Sequence, residues 1–201
     1  MIGFYDYTVI LTYLGLSTGL CGIFLAASSN ILYSIVCLLL CGFFDMFDGK
    51  VARTKKRNDD EKNYGIQIDS LSDLVCFGVL PACIGYFLGL KQYYYILVLV
   101  LYVLCALIRL AYFNVLEMQR QKEEDSILKC YTGLPVTSVA LIIPLIYMFK
   151  NMLGNNFNLV YLISLLVIAM LFILKIKIKK PSLKVMILFI FLGLIELFLI
   201  I

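Results

Sequence analysis

The stretch FFDMFDGKVARTKKRNDDEKNYGIQIDSLSDLVCFG, residues 43–78, places four aspartates beside or inside long apolar segments. They are Asp45, Asp48, Asp69 and Asp73. An ionised side chain near the centre of a bilayer costs about 2.5–3.5 kcal/mol, so four carboxylates in such surroundings require an interaction that offsets the cost. The rest of the sequence indicates which medium surrounds them and what that interaction is.

The composition is that of an integral membrane protein. Of 201 residues, 63% are hydrophobic and 15% are charged, and the mean hydropathy is +0.98. Nearly continuous apolar runs lie at 7–27, 31–51, 66–90, 92–116, 133–150, 157–175 and 183–201. Each is close to the roughly 20 residues that span a bilayer as a helix. We therefore predict an all-α, polytopic bundle of about seven transmembrane helices. The first run lacks a cleavage pattern and is interpreted as a retained helix.

The basic residues predict the orientation of the bundle, because cytoplasmic loops retain an excess of Lys and Arg. With the 54–63 loop inside, fourteen of the 17 basic residues fall on the inner side, Lys91 and Lys150 fall on the outer side, and Arg109 lies within a span. The N-terminus is then cytoplasmic and the predicted location is the cell membrane. The net charge of +4 requires no nucleic acid as a partner, since the basic loops would face anionic lipid headgroups.

The pattern of cysteines and the lack of histidine disfavour several kinds of site. Seven cysteines is an odd number, most of them lie within apolar runs, and the chain has no histidine. This pattern favours small core side chains over a disulfide framework or a zinc site. Acid–base chemistry must then use carboxylates, Lys, Tyr or Cys. The sequence also lacks a Walker A loop and a Gly-x-Gly-x-x-Gly helix start, so one membrane domain over residues 1–201 is predicted.

Helical geometry brings the four aspartates together. At 100° per residue, Asp45 and Asp48 share one face at the end of the second span, and Asp69 and Asp73 share one face near the start of the third. The short connection between the spans returns the chain antiparallel, so the two faces can converge. All-oxygen ligation suits hard cations such as Mg²⁺ or Mn²⁺, and two such ions are a known clamp for phosphoryl chemistry.

The small and basic residues of the motif have simpler interpretations when each is taken alone. Asp45 and Asp48 could be a solvated helix end, Gly49 a packing notch, and Arg53 an anchor at the inner interface. In combination with Ala52, Gly49 leaves a low helix face for a bulky ligand, and Arg53 can hold a phosphate bidentately. The order and spacing of all these residues favour the functional interpretation.

The pattern Asp45-x-x-Asp48-Gly49-x-x-Ala52-Arg53, followed by Gly65-x-x-x-Asp69-x-x-x-Asp73, resembles the signature of the CDP-alcohol phosphatidyltransferase family. One departure is the connection between Arg53 and Gly65, which has eleven residues where the family usually has about eight. The stretches at 68–82, 108–115 and 132–140 resemble the serine-using branch. The resemblance covers about residues 5–145, and residues 157–201 are assigned to packing, dimerisation or lipid contact.

The resemblance implies a six-helix family core plus a C-terminal helix, a homodimer, and transfer of a phosphatidyl group from CDP-diacylglycerol to L-serine with release of CMP. Two divalent ions, Mg²⁺ or Mn²⁺, would be held at the cytoplasmic face. The implied roles are metal ligation by Asp45, Asp48, Asp69 and Asp73, base catalysis by Asp73, and binding of the CDP-lipid by Asp45, Gly49, Ala52 and Arg53.

Three further residues are candidates for the acceptor site. Arg109 is an intramembrane charge that would bind the serine carboxylate or a phosphate oxygen, or pair structurally with an aspartate or Glu117. Gly133 and Pro135 belong to the acceptor site or merely begin the fifth span. Two other functions remain open: the same chemistry with glycerol phosphate or inositol phosphate as acceptor, and a cation channel or transporter whose aspartates line an ion path. An intramembrane aspartyl protease is disfavoured, because it needs two aspartates rather than four.

Overall fold

The computed structural model describes residues 3–52, 54–122, 130–179, 191 and 193. The chain is mainly helical, with α1 (Ile10–Ala27), α2 (Ile31–Ala52), α3 (Asp59–Asp73), α4 (Leu80–Phe87), α5 (Tyr93–Lys122), α6 (Val139–Met148), α7 (Lys150–Leu153) and α8 (Phe157–Ile173). Single 3-10 turns occupy Tyr7–Val9, Val136–Ser138 and Gly154–Asn156. Two three-residue strands, β1 (Cys130–Thr132) and β2 (Lys177–Lys179), pair antiparallel and add a small ribbon to the predicted all-α architecture.

Helix α1 packs closely against its neighbours because its inward face carries small residues. Its buried residues are Thr12, Gly15, Gly19, Gly22 and Ala26, which recur at helical spacing. A Cβ added at Gly19 would lie 2.8 Å from the Cys76 sulfur, so a larger residue there would collide with the helix that carries Asp69 and Asp73. Small residues at such positions let membrane helices approach each other closely. The contacts of α1 therefore hold α2 and α3 in place.

The third span is one helical rod from Asp59 to Phe87 that contains a π-helical segment, Leu74–Val79, directly after Asp73. Asn58 caps its start: its side chain accepts a hydrogen bond from the backbone N–H of Glu61, and the Glu61 carboxylate accepts one from the backbone N–H of Asn58. This reciprocal capping box satisfies two N–H groups that the helix leaves without partners. The rod therefore begins at a defined point, Asn58, between the two halves of the motif.

The π segment has an identifiable chemical cause. Pro81 has no N–H and cannot donate to the carbonyl of Phe77 four residues earlier. The buried Tyr102 hydroxyl of α5 donates to that carbonyl at 2.6 Å, and the Tyr161 hydroxyl of α8 donates to the carbonyl of Pro81 at 2.9 Å. Two tyrosines from neighbouring helices thereby replace or supplement backbone hydrogen bonds and join α5 and α8 to the third span.

Five helices in the described part of the chain are long and apolar enough to cross a membrane: Tyr7–Ala27, Ile31–Ala52, Asp59–Phe87, Tyr93–Gln119 and Lys150–Ile173. They match five of the seven predicted spans, which confirms the prediction of several helices able to cross a membrane. The predicted span at 133–150 corresponds to the shorter apolar helix Val136–Met148. The predicted span at 183–201 lies outside the described residues, apart from 191 and 193, so seven spans and an inner N-terminus stay predictions.

Candidate active site

Three carboxylates from two helices form the centre of the candidate site. Asp45 and Asp48 come from the C-terminal half of α2, and Asp69 comes from α3; one ligand oxygen from each lies within 4.8 Å of the others. Asp45 and Asp69 are half-buried, and Asp48 is 9% exposed. The structure thus brings together three of the four aspartates in the arrangement that their helical spacing predicts.

Asp73 lies one turn deeper along α3 than Asp69 and is 9% exposed. Its side chain is in hydrogen-bonding contact with that of Asp45, and the side chains of Asp48 and Asp69 form a second such contact. Asp45, Asp48 and Asp73 also line a small cavity with space for about one water molecule. All four predicted ligands therefore belong to one connected carboxylate cluster.

Helix α1 contacts the helices of this cluster through its backbone carbonyls. The thiols of Cys41 and Cys76 both donate to the Gly15 carbonyl, at 3.4 and 3.3 Å, and the Ser72 hydroxyl donates to the Thr12 carbonyl at 3.4 Å. These contacts join α1, α2 and α3 within a turn of the aspartates. The buried Cys41, Cys76 and Cys105 match the predicted role of small core side chains, whereas Cys21 is exposed. The cysteines from Cys21 to Cys105 are all free thiols.

A polar contact between α3 and α5 borders the cluster and is not among the residues that the sequence predicts for the site. The Ser70 hydroxyl donates to the side-chain oxygen of Asn114 at 2.6 Å, and the Asn114 amide donates to Gln67 at 3.4 Å. Asn114 is buried, and Ser70 directly follows Asp69. The available signal was the isolated amide of Asn114 near the end of a long apolar run, which is expensive without a partner.

The carboxylate cluster fits divalent metal ions. Four carboxylates converge within an apolar bundle, and the ion pairs of Lys55 and Lys62 in the described ranges are made with Asp6, Asp59 and Glu61 rather than with these four. A bound cation would relieve the repulsion between like charges at such separations. The donor set is exclusively oxygen, which is the set that Mg²⁺ and Mn²⁺ prefer over softer metals. Asp45, Asp48, Asp69 and Asp73 are the residues that would hold such ions.

The remaining residues of the first half of the motif lie at the C-terminal end of α2. Gly49 is exposed, and Ala52 is half-buried at the last residue of the helix. Both lie between the carboxylates of α2 and the 54–58 loop. The predicted contact of Arg53 with the CDP group lies outside the described residues.

Two of the three acceptor candidates lie together. Gly133 adopts φ +79°, and a Cβ added there would lie 3.3 Å from Nε of the buried Arg109 and 2.8 Å from the carbonyl oxygen of Phe172. Only glycine tolerates both this conformation and this space. The Arg109 guanidinium also lies 5.5 Å from the Phe113 ring centroid. Pro135 directly precedes the 3-10 turn Val136–Ser138, two residues further along the chain.

An ion-pair network fastens the N-terminal segment to the loop between α2 and α3. Lys55 Nζ lies 2.8 Å from a carboxylate oxygen of Asp6 and 3.3 Å from one of Glu61. Asp6 also accepts hydrogen bonds from the backbone N–H and hydroxyl of Thr8. The Lys55 ammonium, with the Thr8 donors, lowers the pKa of Asp6 to about 2. In turn, the Asp6 carboxylate raises the pKa of Lys55.

Comparison with known proteins decides the family. The sequence profile of the CDP-alcohol phosphatidyltransferase family matches residues 8–197. The chain belongs to the CDP-alcohol phosphatidyltransferase family. This match includes the aspartate motif and continues through residues 157–197, beyond the stretch in which the sequence resemblance is visible by motif. No solved structure matches the chain.

Curated relatives within this family carry serine-related names. The chain is 40% identical over 112 residues to the CDP-diacylglycerol–serine O-phosphatidyltransferase of Saccharomyces cerevisiae, covering 55% of this chain and 40% of that protein. It is 36% identical over 140 residues to the archaetidylserine synthase of Methanothermobacter thermautotrophicus, covering 69% and 56%. It is 32% identical over 158 residues to the CDP-diacylglycerol–serine O-phosphatidyltransferase of Methanocaldococcus jannaschii, covering 79% and 68%. The chain spans about half the length of the first two relatives.

Proposed function

We propose that this protein transfers the phosphatidyl group of CDP-diacylglycerol to the hydroxyl of L-serine, giving phosphatidylserine and CMP. The observation that carries the proposal is the convergence of Asp45, Asp48 and Asp69 within 4.8 Å at the position of the family motif. The serine-related names of the relatives support L-serine as the acceptor. CDP-diacylglycerol and L-serine are thus the proposed substrates, and no nucleic acid is involved.

In the proposed mechanism, the four aspartates would hold two divalent ions, Mg²⁺ or Mn²⁺. When bound, these ions would stabilise charge on the pyrophosphate and make CMP a better leaving group. The serine hydroxyl attacks the phosphorus that bears diacylglycerol, the bond from that phosphorus to the CMP oxygen breaks, and Asp73 accepts the hydroxyl proton. The deeper position of Asp73 supports this division of roles, because Asp73 contacts Asp45 and faces the small cavity.

The substrate-binding roles are part of the same proposal. Asp45, Gly49, Ala52 and Arg53 would contact the CDP group, which enters from the side of the 54–58 loop. Arg109 would bind the serine carboxylate, and Gly133 would leave room for the Arg109 guanidinium, a role supported by the close approach of these two residues. Pro135 would orient the turn that follows Gly133. Both substrates would then reach the cluster while the lipid chains stay in hydrocarbon.

The cellular arrangement is part of the proposal. The five apolar helices support a multi-pass membrane protein, and the bias of basic residues toward the 54–63 loop supports a site on the cytoplasmic face of the cell membrane. Residues 1–201 would form one domain that acts as a homodimer in contact with membrane lipids. Chemical crosslinking in native membranes, followed by mass measurement of the crosslinked species, tests the homodimer separately from the activity.

The decisive experiment uses purified protein in detergent with CDP-diacylglycerol and Mg²⁺. L-serine, glycerol 3-phosphate and inositol phosphate are compared as acceptors, and release of CMP is measured. The proposal expects CMP release and a new lipid product with L-serine. A product with another acceptor alone would assign a sister activity of the same family. Absence of CMP release with every acceptor, in protein that moves cations across vesicle membranes, would favour the channel or transporter alternative.

A further inference from the structure

The guanidinium of Arg57 lies against Gly65 on the face of α3 that carries Asp69. A Cβ added at Gly65 would lie 2.7 Å from Nη1 of Arg57. Gly65 precedes Asp69 by one helical turn, which is about 6 Å along the axis. Arg57 itself is half-buried and belongs to the 54–58 loop, within the connection that is longer here than the family pattern. The absence of a side chain at Gly65 therefore provides the space that the arginine occupies.

The loop is fixed at several points, and these contacts determine where Arg57 can reach. The Thr54 hydroxyl is hydrogen-bonded to the Tyr7 hydroxyl at 3.0 Å, and Lys55 is held by Asp6 and Glu61. Asn58, the residue after Arg57, is held in the capping box. Arg57 is thus anchored on both sides, so its side chain is presented to the motif by a constrained backbone.

Arg57 and Lys55 are both cations of the 54–58 loop, but their surroundings differ. Lys55 is neutralised by two carboxylates, whereas Arg57 forms no ion pair with any carboxylate in the described ranges. A guanidinium has five N–H donors in a planar fork that matches a phosphate group. The Arg57 guanidinium therefore lies on the face of α3 that also carries Asp69, and its N–H groups can still donate hydrogen bonds. It is suited to binding an anionic group next to the metal ligands.

We propose that Arg57 binds the pyrophosphate of the CDP-lipid and is a substrate-binding residue of this chain. The inference rests on the proposed function, because it takes the pyrophosphate to lie between the aspartate cluster and the loop. Arg57 would donate hydrogen bonds to phosphate oxygens from the loop side while the metal ions neutralise the opposite side. The longer connection would thereby supply a phosphate ligand in addition to the residues of the signature.

The test compares Arg57→Gln and Arg57→Lys with the control Lys56→Gln, which removes the same charge from an exposed neighbour in the same loop. Affinity for CDP is measured with Mg²⁺ by calorimetry on purified protein, and KM is measured for CDP-diacylglycerol and for L-serine. Loss of a charge-assisted hydrogen bond should weaken CDP binding about 10- to 100-fold in Arg57→Gln. Arg57→Lys should recover part of this loss, Lys56→Gln should resemble the wild type, and KM for L-serine should be unchanged.

Several outcomes would overturn the inference. CDP binding by Arg57→Gln that equals or exceeds wild-type binding would show that the guanidinium does not hold the pyrophosphate. An equal loss in Lys56→Gln would assign the effect to the net charge of the loop, and a loss confined to KM for L-serine would assign Arg57 to the acceptor. Failure of the proposed function is distinguishable, because wild-type protein would then release no CMP from CDP-diacylglycerol with any acceptor.

Discussion

Asp45 on α2 and Asp69 on α3 are 24 positions apart in the chain, yet their carboxylate oxygens lie within 4.8 Å of each other. The 54–58 loop returns the chain so that α3 packs beside α2, which brings the two carboxylates together. The small residues of α1 pack against both helices and hold them at this distance. Repulsion between two such carboxylates is relieved either by a bound cation or by protonation of one of them. The relationship between Asp45 and Asp69 therefore links the fold directly to the proposed metal dependence.

Removal of divalent ions should abolish activity. EDTA treatment is expected to stop CMP release, and Mg²⁺ or Mn²⁺ should restore it, because the four carboxylates would otherwise repel each other and the pyrophosphate. Asp69→Ala should show the same loss without rescue, while Asp59→Asn, an exposed carboxylate on the same helix, should keep normal turnover. Full activity in metal-free buffer would contradict the two-metal proposal.

Asp73→Asn separates the base from the ligands. Asparagine keeps the size of the side chain and one oxygen ligand but cannot accept the serine proton. Turnover should fall about 10²- to 10⁴-fold while CDP-diacylglycerol binding in Mg²⁺ remains measurable. Single-turnover kinetics and lipid binding on the same preparation provide the measurement. If the variant instead binds the CDP-lipid poorly and turns it over normally at saturation, Asp73 is a binding ligand only.

Tyr102→Phe should destabilise the bundle without altering any proposed ligand. The change leaves the buried Phe77 carbonyl without the hydroxyl donor at 2.6 Å that compensates for Pro81. The expected cost is about 1–3 kcal/mol of unfolding free energy. Thermal unfolding in detergent measures the effect, and Tyr112→Phe, an exposed tyrosine on the same helix, is the matched control. Equal stability of the two variants would show that the Tyr102 hydroxyl is not needed there.

The Asp6–Lys55 ion pair should contribute stability that disappears in acid. Because the pKa of Asp6 is lowered to about 2 in the folded protein, its contribution is complete above the unfolded pKa near 3.8 and is lost as pH falls toward 2. Asp6→Asn should lower the melting temperature at pH 7 by at most about 4 °C, as expected of a surface pair. Melting curves of both proteins should converge between pH 4 and pH 2. A constant difference across this range would exclude the ion pair as its cause.

Thiol labelling tests the orientation. On a background without the native cysteines, a cysteine introduced in the 54–63 loop should react with an impermeant reagent only from the cytoplasmic side. A cysteine at position 155 should react only from the opposite side, since the α7–α8 connection lies at the other end of the bundle in the predicted topology. Labelling of both positions from one side would refute the seven-span arrangement, and its least secure part is residues 183–201.

The local periodicity of the sequence was sufficient to predict the helices at 7–27 and 31–51 and the shared faces of the aspartate pairs. These features depend on residues within one helix, so the spacing of apolar and acidic residues along the chain predicts them. The break in the predicted fifth span was less visible. Gly133 occupies a left-handed conformation and Val136–Ser138 form a 3-10 turn, so the ten-residue helix α6 begins only at Val139.

Contacts between helices could not be predicted in the same way. The Tyr102 hydrogen bond to Phe77, the Ser70 contact with Asn114 and the approach of Arg109 to Gly133 each join segments that the sequence treats as independent. Their partners are chosen by the rotation and depth of one helix against another, and many rotations satisfy the same apolar pattern. Apolar side chains have a similar free energy facing lipid or facing protein, so hydropathy alone does not specify which helices contact each other.

The sequence by itself determined the medium, the helical class and the four carboxylates, because hydropathy and helical spacing act locally and the aspartate motif is specific. Only the tertiary structure decided that Asp73 contacts Asp45, that α1 supplies carbonyl acceptors to Cys41 and Cys76, and that the Arg57 guanidinium lies on Gly65. Those relationships depend on distances between helices, which follow from packing of small residues and from the anchored loop.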